Sequence, residues 1–415
     1  MLDLMHLHEN DSPKSWIWVN LDIILIKKLL FDLLKNMNQN EISKIISKEL
    51  KAGFSTVEKH IIKIKYSRKD LLVPLPIIIG LGNLYNRRYN SHLIKSFKYF
   101  ICKNYNSQKV YAVKNINDTI AKIIGAHLAD GYIQLYNKNL AWKISDGHQE
   151  EIEIVKKMIK ETFGFNVSVK FSNRDNTWLV YTKNKIFCRY LTKIFMLPIG
   201  KKADIISEPK FIKHNKKLRK AFLSGYLMFD GGIKSSGIVA FTTKSKAMVK
   251  SSLSILNDEG LCVNVNYNTH KKAWTIESKS NKDITQLRKW EEFFWEGTSK
   301  QRKLNFFVSR KHMEFEEVSK LFPEHHLNKI SVYDVTDIIE GLGDATIKDM
   351  VYIANKKNKS VSPTTIHKYL YLLEIAGLIS KNTEKICSDK NTYLRGIYNF
   401  KYTFNGESYA HNNCQ

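Results

Sequence analysis

The chain has 415 residues, of which 43% are hydrophobic and 12% aromatic, and 66 Lys and Arg against 40 Asp and Glu give it a formal net charge of +26. This composition excludes an intrinsically disordered chain, and the length suffices for two to four domains with buried cores. A folded and strongly basic surface is typical of proteins that bind nucleic acid. Five scattered cysteines without a C-x-x-C pair argue against a zinc ribbon and for a reducing compartment. Because no run resembles a signal peptide or a membrane span, we expect a soluble, cytoplasmic (intracellular) protein without membrane contact.

Residues 1–115 are predicted to form a helical, helix-turn-helix-like domain followed by a connector. The pattern predicts helices over Asp22–Lys35, over Glu41–Leu50 with Asn40 as its cap, and from a Ser55 cap to Lys65. Two short helices around a glycine-containing turn, the second one basic, are consistent with a helix-turn-helix and equally with an ordinary helical hairpin. Residues 71–115 lack a clear period and are predicted to be the connector.

The middle of the chain is predicted to be a tandem duplication in which each half has the element order αββαββα. The first repeat spans residues 116–204 and the second spans 205–315. Phe165–Ser172 and Leu261–Asn268 alternate strictly between apolar and polar residues, which predicts strands with one buried and one exposed face. Trp178 and Trp274 occupy matching positions in the strands that follow. The fold class is therefore predicted to be α+β.

Residues 325–405 are predicted to be a winged-helix-like domain, because three helices precede a two-stranded hairpin. Ser362-Pro363 opens the third helix, with proline at the first helical position. A small α+β interaction domain is the alternative. If the unit binds DNA, the exposed positions of its third helix would contact it: Thr364, Thr365, His367 and Lys368.

Two runs about a hundred residues apart share one pattern. Ile123–Gly131 and Leu223–Gly231 are both apolar, have the period of a helix and end in Asp-Gly. Asp130 and Asp230 would thus lie at helix C-termini, where negative charge is disfavoured. Small residues at four-residue spacing precede both acids, and they would let the two helices pack closely side by side. The sequence therefore predicts two adjacent carboxylates.

Two adjacent carboxylates repel each other unless a cation lies between them. Carboxylate oxygens are hard ligands that suit Mg²⁺ or another divalent cation such as Mn²⁺. Adjacent metal ions can activate water and stabilise the leaving oxygen of a phosphodiester. The pair Asp130 and Asp230 therefore predicts a metal site with hydrolytic chemistry.

These two runs resemble the paired signature helices of the LAGLIDADG homing endonucleases, in the single-chain form that carries both copies. The resemblance covers residues 116–310 and implies a saddle of two antiparallel sheets in the major groove of double-stranded DNA, formed by a monomer with internal pseudo-two-fold symmetry. It implies a site-specific endonuclease that cuts both strands of a long asymmetric target. Asp130 and Asp230 would then be the catalytic, metal-binding acids, and residues on the polar strand faces would read bases: Asn166, Ser168, Lys170, Asn264 and Asn266.

The family also places a basic residue after the last helix of each half, which implies catalytic roles for Lys202 and Lys300. Phe229 departs from the small residue usual at the helix crossing and would weaken one side of the site. We interpret His127 as a packing residue. Since the metal chemistry lies between residues 116 and 310, the flanking segments are expected to supply affinity only. A non-cleaving sequence-specific DNA-binding regulator and an RNA maturase on the same scaffold are the alternative functions.

Overall fold

The computed structural model describes residues 2–9, 11–68, 71–86, 89–102, 108–136, 139–234, 237–278, 286–287, 294–309, 315–322, 329–385 and 398–405. It is a mixed α+β fold in which helices accompany several small sheets. The chain divides into two compact units, the first made of Met1–Gly231, Thr242–Glu259 and Tyr267–Thr275, the second of Gly232–Phe241, Gly260–Asn266 and Ile276–Gln415. None of the helices in the described ranges combines the length and apolar character needed to cross a bilayer.

The N-terminal part of the first unit contains both helices and a four-stranded sheet. Its helices are α1 (Ile23–Leu34), α2 (Gln39–Leu50), α3 (Phe54–Tyr66), α4 (Leu75–Tyr85) and α5 (Asn90–Ser96). Its strands are β1 (Ile17–Leu21), β2 (Leu71–Pro74), β3 (Phe97–Cys102) and β4 (Val110–Tyr111), in the order β2-β1-β3-β4. The pairings of β1 with β2 and β3, and of β3 with β4, are antiparallel.

The helices predicted between residues 22 and 65 are present as α1, α2 and α3, but the strands of this part were not predicted. Most residues of β1 and β2 are buried, so these strands lack the polar and apolar alternation that reveals a half-exposed strand. Two helix starts also differ from prediction. Asn38, rather than Asn40, caps α2, because it forms a reciprocal capping box with Glu41 three residues later. Gly53, rather than Ser55, precedes α3.

The next elements follow the order predicted for the first repeat. They are α6 (Asp118–Asp130), β5 (Gly131–Tyr136), β6 (Asn139–Asp146), α7 (Gln149–Phe163), β7 (Ser168–Ser172), β8 (Thr177–Thr182) and α8 (Lys185–Arg189), which continues as a π-helical turn over Tyr190–Ile194. These strands form an antiparallel sheet with the order β5-β6-β8-β7, which is called the first sheet below because it belongs to the first predicted repeat. Trp142 and Phe163 both pack edge-on against Phe187, which joins the sheet to the helices behind it.

The elements after residue 215 come in a similar order. They are α9 (Lys216–Asp230), β9 (Gly231–Ile233), β10 (Val239–Thr243), α10 (Lys246–Asp258), β11 (Val263–Asn268) and β12 (Ala273–Ser278). The sheet order β11-β12-β10-β9 is the counterpart of the order in the first sheet. The closing helix predicted over residues 283–294 lies largely outside the described residues.

The second unit continues with α11 (Ser299–Ser309), α12 (Phe315–Leu321), α13 (Val332–Leu342), α14 (Ile347–Lys356), α15 (Pro363–Ile375), β13 (Ile379–Lys385) and β14 (Tyr398–Phe404). The last three helices and the antiparallel β13–β14 pair occur in the predicted order. Ser331 and Thr346 close capping boxes at the starts of α13 and α14. Val335, Ile339 and Leu370 belong to the buried cluster that joins these helices.

Candidate active site

Helices α6 and α9 cross with their backbones in direct contact. A β-carbon on Gly125 would collide with the carbonyl oxygen of Phe222 and the backbone nitrogen of Tyr226. A β-carbon on Gly225 would collide with the carbonyl of Lys122. The stripe of small residues therefore positions the two helices, since any side chain at either glycine would force their backbones apart.

Each helix delivers a carboxylate to the same cavity. Asp130 is the last residue of α6 and Asp230 the last residue of α9, and strands β5 and β9 begin at the following glycines without a connecting loop. Asp130 is exposed and Asp230 is half-buried. Both line a cavity of about 890 Å³. The geometry thus brings together the two acids that the sequence paired.

Lys202 lies at the end of α6 and neutralises part of its C-terminal dipole. Its Nζ donates hydrogen bonds to the carbonyl oxygens of Leu128 and Ala129, at 2.7 and 2.6 Å. Burial lowers the pKa of Lys202, while the charges of Asp230 and Asp130 act in the opposite direction. An ammonium group therefore sits beside both carboxylates, and the neighbouring Lys201 is exposed along the same cavity.

Tyr226 is a cavity residue that the sequence reasoning missed. It is completely buried, and burial together with the Asp230 charge raises its pKa, whereas a hydrogen bond with Thr243 lowers it. Tyr226, Asp230 and Thr243 therefore line the same part of the cavity. The signal was present in the comparison of the two runs, because Tyr226 stands where the first run has Ala126.

His127 is buried in the core behind the first acid. Trp142 donates a hydrogen bond from Nε1 to Nδ1 of His127 at 3.2 Å. Burial lowers the pKa of His127 to about 3, and the positive charge of Lys202 acts in the same direction. The imidazole is therefore neutral at physiological pH and packs against the sheet, in agreement with its interpretation as a packing residue.

The donors around the cavity fit a divalent cation bound mainly through water. Mg²⁺ is typically held in proteins by one or two carboxylates and keeps several water ligands. Asp130 and Asp230 supply hard oxygen donors, and Lys202 already occupies the nearest helix carbonyls. Within the described ranges no cluster of three or more His, Cys, Asp or Glu side chains is placed to hold a metal ion. The two acids are thus the candidate ligands.

The exposed face of the first sheet is continuous with the cavity, because β5 starts directly after Asp130. Strand register aligns Tyr132 with Lys143, Lys143 with Tyr181, and Tyr181 with Ser168 on this face. The expected base-reading residues Ser168 and Lys170 are exposed there. Asn166 is exposed just before β7, and its backbone is held by the Gln108 side chain through hydrogen bonds of 2.6 and 3.1 Å.

The sequence reasoning missed most of this face. A second cavity of about 570 Å³ over the sheet is lined by Gln134, Lys143, Lys170, Tyr181 and Lys183, among others. Only Lys170 of these was predicted. The signal was available in β6, where the buried residues Trp142 and Ile144 flank the exposed Lys143.

The remaining predicted residues lie on separate elements. Asn264 and Asn266 are exposed on β11. Thr364, His367 and Lys368 are exposed on α15, and Thr365 is half-buried with its backbone N–H bonded to the cap residue Ser362. Lys300 is the second residue of α11 in the second unit, and its role stays a prediction.

No model of a protein family matches the chain, and no curated protein is detectably similar to it in sequence. Among solved structures it is similar to the homing endonuclease I-DmoI in complex with DNA and Mn, at 14% identity over 42% of this chain and 96% of that one, with a TM-score of 0.34. It is also similar to the homing endonuclease I-WcaI bound to its DNA recognition sequence, at 16% identity over 47% and 88%, with a TM-score of 0.33. A third is the N-terminal LAGLIDADG domain of DUF199/WhiA, at 13% identity over 41% and 81%, with a TM-score of 0.29.

Proposed function

We propose that this protein is a site-specific double-stranded DNA endonuclease of the LAGLIDADG homing type. It would hydrolyse phosphodiester bonds with Mg²⁺ or another divalent cation such as Mn²⁺. One observation carries the proposal: Asp130 and Asp230 end two helices that touch backbone to backbone, and both acids face one cavity that also holds Lys202. Carboxylates at helix C-termini are unfavourable, so a pair of them beside a lysine indicates cation and phosphate chemistry.

Each cavity residue has a distinct role in this proposal. A bound divalent cation would activate water and stabilise negative charge on phosphate oxygens. Asp130 and Asp230 hold that cation, and Tyr226 fixes the orientation of Asp230 through its buried hydroxyl. Lys202 presents an ammonium group to the developing negative charge on the phosphate. Lys300 performs the same task for the second half.

Recognition in this proposal extends over a long asymmetric target. The face of the first sheet and the β11 residues Asn264 and Asn266 read bases in the major groove. The winged-helix-like unit adds contacts through Thr364, Thr365, His367 and Lys368 on α15. Helix α3 adds further contacts from an exposed face that includes Ser55, Lys59 and Lys63. Because one chain supplies both acids, the enzyme acts as a monomer with internal pseudo-two-fold symmetry.

The test separates cutting from binding. DNA selected from a random library in Ca²⁺ provides the target, which is then incubated with Mg²⁺ and the parent, Asp130→Asn or Asp230→Asn. Both variants should lose double-strand cleavage and keep their affinity in Ca²⁺ mobility shifts. Asp204→Asn is the matched control, since this exposed acid lines the same cavity without ending a signature helix. It should cut like the parent.

Other outcomes would assign a different function. A parent that binds one sequence tightly and never cuts it would be a DNA-binding regulator. A parent that prefers a structured RNA to every selected duplex would be a maturase. Normal cutting by both aspartate variants would overturn the two-acid mechanism.

A further inference from the structure

The exposed face of the first sheet carries a band in which aromatic rings and lysines alternate across all four strands. Tyr132 on β5 is aligned with Lys143 on β6, which is aligned with Tyr181 on β8. Lys170 on β7 completes the band and lies two residues from Ser168, which is the register partner of Tyr181. The Nζ of Lys143 lies 5.8 Å from the centre of the Tyr132 ring, and the Nζ of Lys170 lies 5.2 Å from that of Tyr181. Each lysine is therefore paired with a ring on an adjacent strand.

The pairing with a ring reduces the side-chain entropy that each lysine loses when it binds DNA. A free lysine side chain loses about 2 kcal/mol of rotamer entropy when it is fixed, and this loss favours loose contacts with phosphate. A cation held over a ring within about 6 Å of its centre gains about 0.5–1 kcal/mol at an exposed site. Part of the ordering has thus already occurred before DNA binds. Preordered ammonium groups on a sheet face are suited to contact base edges at defined positions.

The spacing of the band gives a geometric expectation for the DNA. Lys143 and Lys170 are separated by two strand spacings and by two residues along the strands. At about 4.8 Å between strands and about 3.3 Å per residue, their α-carbons are roughly 12 Å apart. Stacked base pairs rise by about 3.4 Å along the DNA axis, so this distance corresponds to about three or four base pairs along that axis.

We propose that Tyr132 and Tyr181 are specificity-determining residues which hold Lys143 and Lys170 against two guanines, about three or four base pairs apart, in one half of the target. Lysine pairs with the O6 and N7 acceptors of guanine in the major groove, and these acceptors distinguish guanine from the other bases. The cationic side chains of this face are suited to a negatively charged ligand, and we take that ligand to be duplex DNA. The inference rests on the proposed function, because it takes this sheet as a DNA-reading surface.

The experiment measures binding only, in Ca²⁺, with the full chain and a selected target in which every base pair is substituted in turn. The parent should discriminate at two guanine positions in one half-site by about 10-fold to 100-fold each. Lys143→Ala should remove the preference at one position and Lys170→Ala at the other, with affinity for unrelated DNA little changed. Lys157→Ala, an exposed lysine on α7, is the charge-matched control and should alter neither preference.

Ring variants test the positioning role. Tyr181→Leu should weaken the preference at the Lys170 position, whereas Tyr181→Phe, which keeps the ring, should retain it. Tyr132→Leu and Tyr132→Phe should behave in the same way at the Lys143 position. A merely structural role for the rings would lower stability and affinity without changing preference at one base pair.

Three outcomes would overturn the inference. Uniform weakening across all sequences, with the salt slope reduced by about one for each lysine, would make these lysines phosphate contacts. Equal preference in the Leu and Phe variants would remove the role of the rings. A parent without any base preference would also refute it. The nuclease proposal is judged separately, by Mg²⁺-dependent cutting, and a protein that discriminates the guanines without cutting would keep this inference and lose that one.

Discussion

Replacing Arg189 with methionine should destabilise the first unit, because this arginine ties the N-terminal residues to the first repeat. The guanidinium is buried at 3% exposure. Its Nη1 donates to the carbonyl of Leu7 at 2.9 Å and to Asp11 at 2.7 Å. Its Nη2 donates to Glu9 at 2.7 Å and to Asp11 at 2.9 Å. Arg189→Met keeps much of the side-chain volume and removes all four hydrogen bonds.

The expected loss of stability follows from the carboxylates that stay buried after Arg189 is replaced. Removing one partner of a buried ion pair typically costs about 3–5 kcal/mol, because the other charge is left uncompensated. Asp11 would keep Lys185 at 2.9 Å, so we expect the lower end, about 3 kcal/mol. Lys193→Met is the matched control. Its ammonium contacts the same Glu9 at 2.8 Å, but its side chain is 44% exposed, and we expect a loss of about 0–1 kcal/mol.

The stability difference should depend on pH. Burial acts to raise the pKa values of Glu9 and Asp11, but hydrogen bonds and charges from Arg189, Lys185 and Lys193 outweigh it, so both pKa values are lowered. A carboxylate with a lowered folded-state pKa stabilises the fold above its unfolded pKa and loses this contribution as pH falls through the folded value. The difference between parent and Arg189→Met should therefore be full at neutral pH and shrink below about pH 4.

The change in stability is measured by urea denaturation of both variants and the parent. Hydrogen exchange of the peptides around residues 2–20 and 185–195 then locates the change in the chain. Both segments should lose protection together in Arg189→Met. A variant within about 1 kcal/mol of the parent would refute the reasoning, since it would class the buried cluster with ordinary surface pairs. Because Arg189 depends on Glu9 and Asp11, the N-terminal segment is expected to supply stability as well as affinity. A fragment of residues 110–315 lacks every carboxylate partner of Arg189, and we expect it not to fold.

Three further predictions concern the cavity. Gly125→Ala and Gly225→Ala should each lower stability by at least about 1–3 kcal/mol in thermal unfolding, because the added carbon meets backbone, whereas Gly147→Ala meets no atom within 4 Å and should be neutral. Lys202→Met should slow Mg²⁺-dependent cutting far more than it weakens binding in Ca²⁺, and equal losses in both would make Lys202 a simple DNA contact. Mg²⁺ should raise the melting temperature of the parent but not that of Asp130→Asn or Asp230→Asn, since a ligand stabilises only the state that binds it.

The paired acids were predictable from the sequence because their signal is local. An apolar run that ends in Asp-Gly fixes both where a helix stops and which residue stands last, and Asp130 and Asp230 end their helices in the structure. The start of α10 was equally local, since Ser245 accepts the hydrogen bond from the N–H of Met248. These features depend on neighbours three or four residues away. The sequence alone therefore specifies them.

Features that depend on distant partners were not predictable. The N-terminal sheet was not predicted, because β1 pairs with strands that are fifty or more residues away and is buried by them. In the sequence Arg189 is one of many basic residues, and only the structure shows that it pairs with Glu9 and Asp11. The aromatic–lysine band requires the register of four strands. In the sequence Tyr226 is visible only as a difference between the two runs. The structure shows that it lines the cavity together with Asp230 and Thr243.

The two helix ends have an electrostatic cost that Lys202 partly offsets. A carboxylate at a helix C-terminus is disfavoured by about 0.3–1 kcal/mol at an exposed site. On α6 the Lys202 ammonium binds the last carbonyls and also faces the acid, so the cost at Asp130 is reduced. On α9 the half-buried Asp230 lies near the buried Tyr226 phenol, a neutral group that does not cancel its charge. Lys202 acts on the charge of Asp230 as well as on that of Asp130, and a divalent cation shared by the two acids would neutralise the negative charge that remains. The two halves thus place similar acids in different surroundings, because Lys202 binds the end of α6 and Tyr226 stands in α9 where α6 has Ala126.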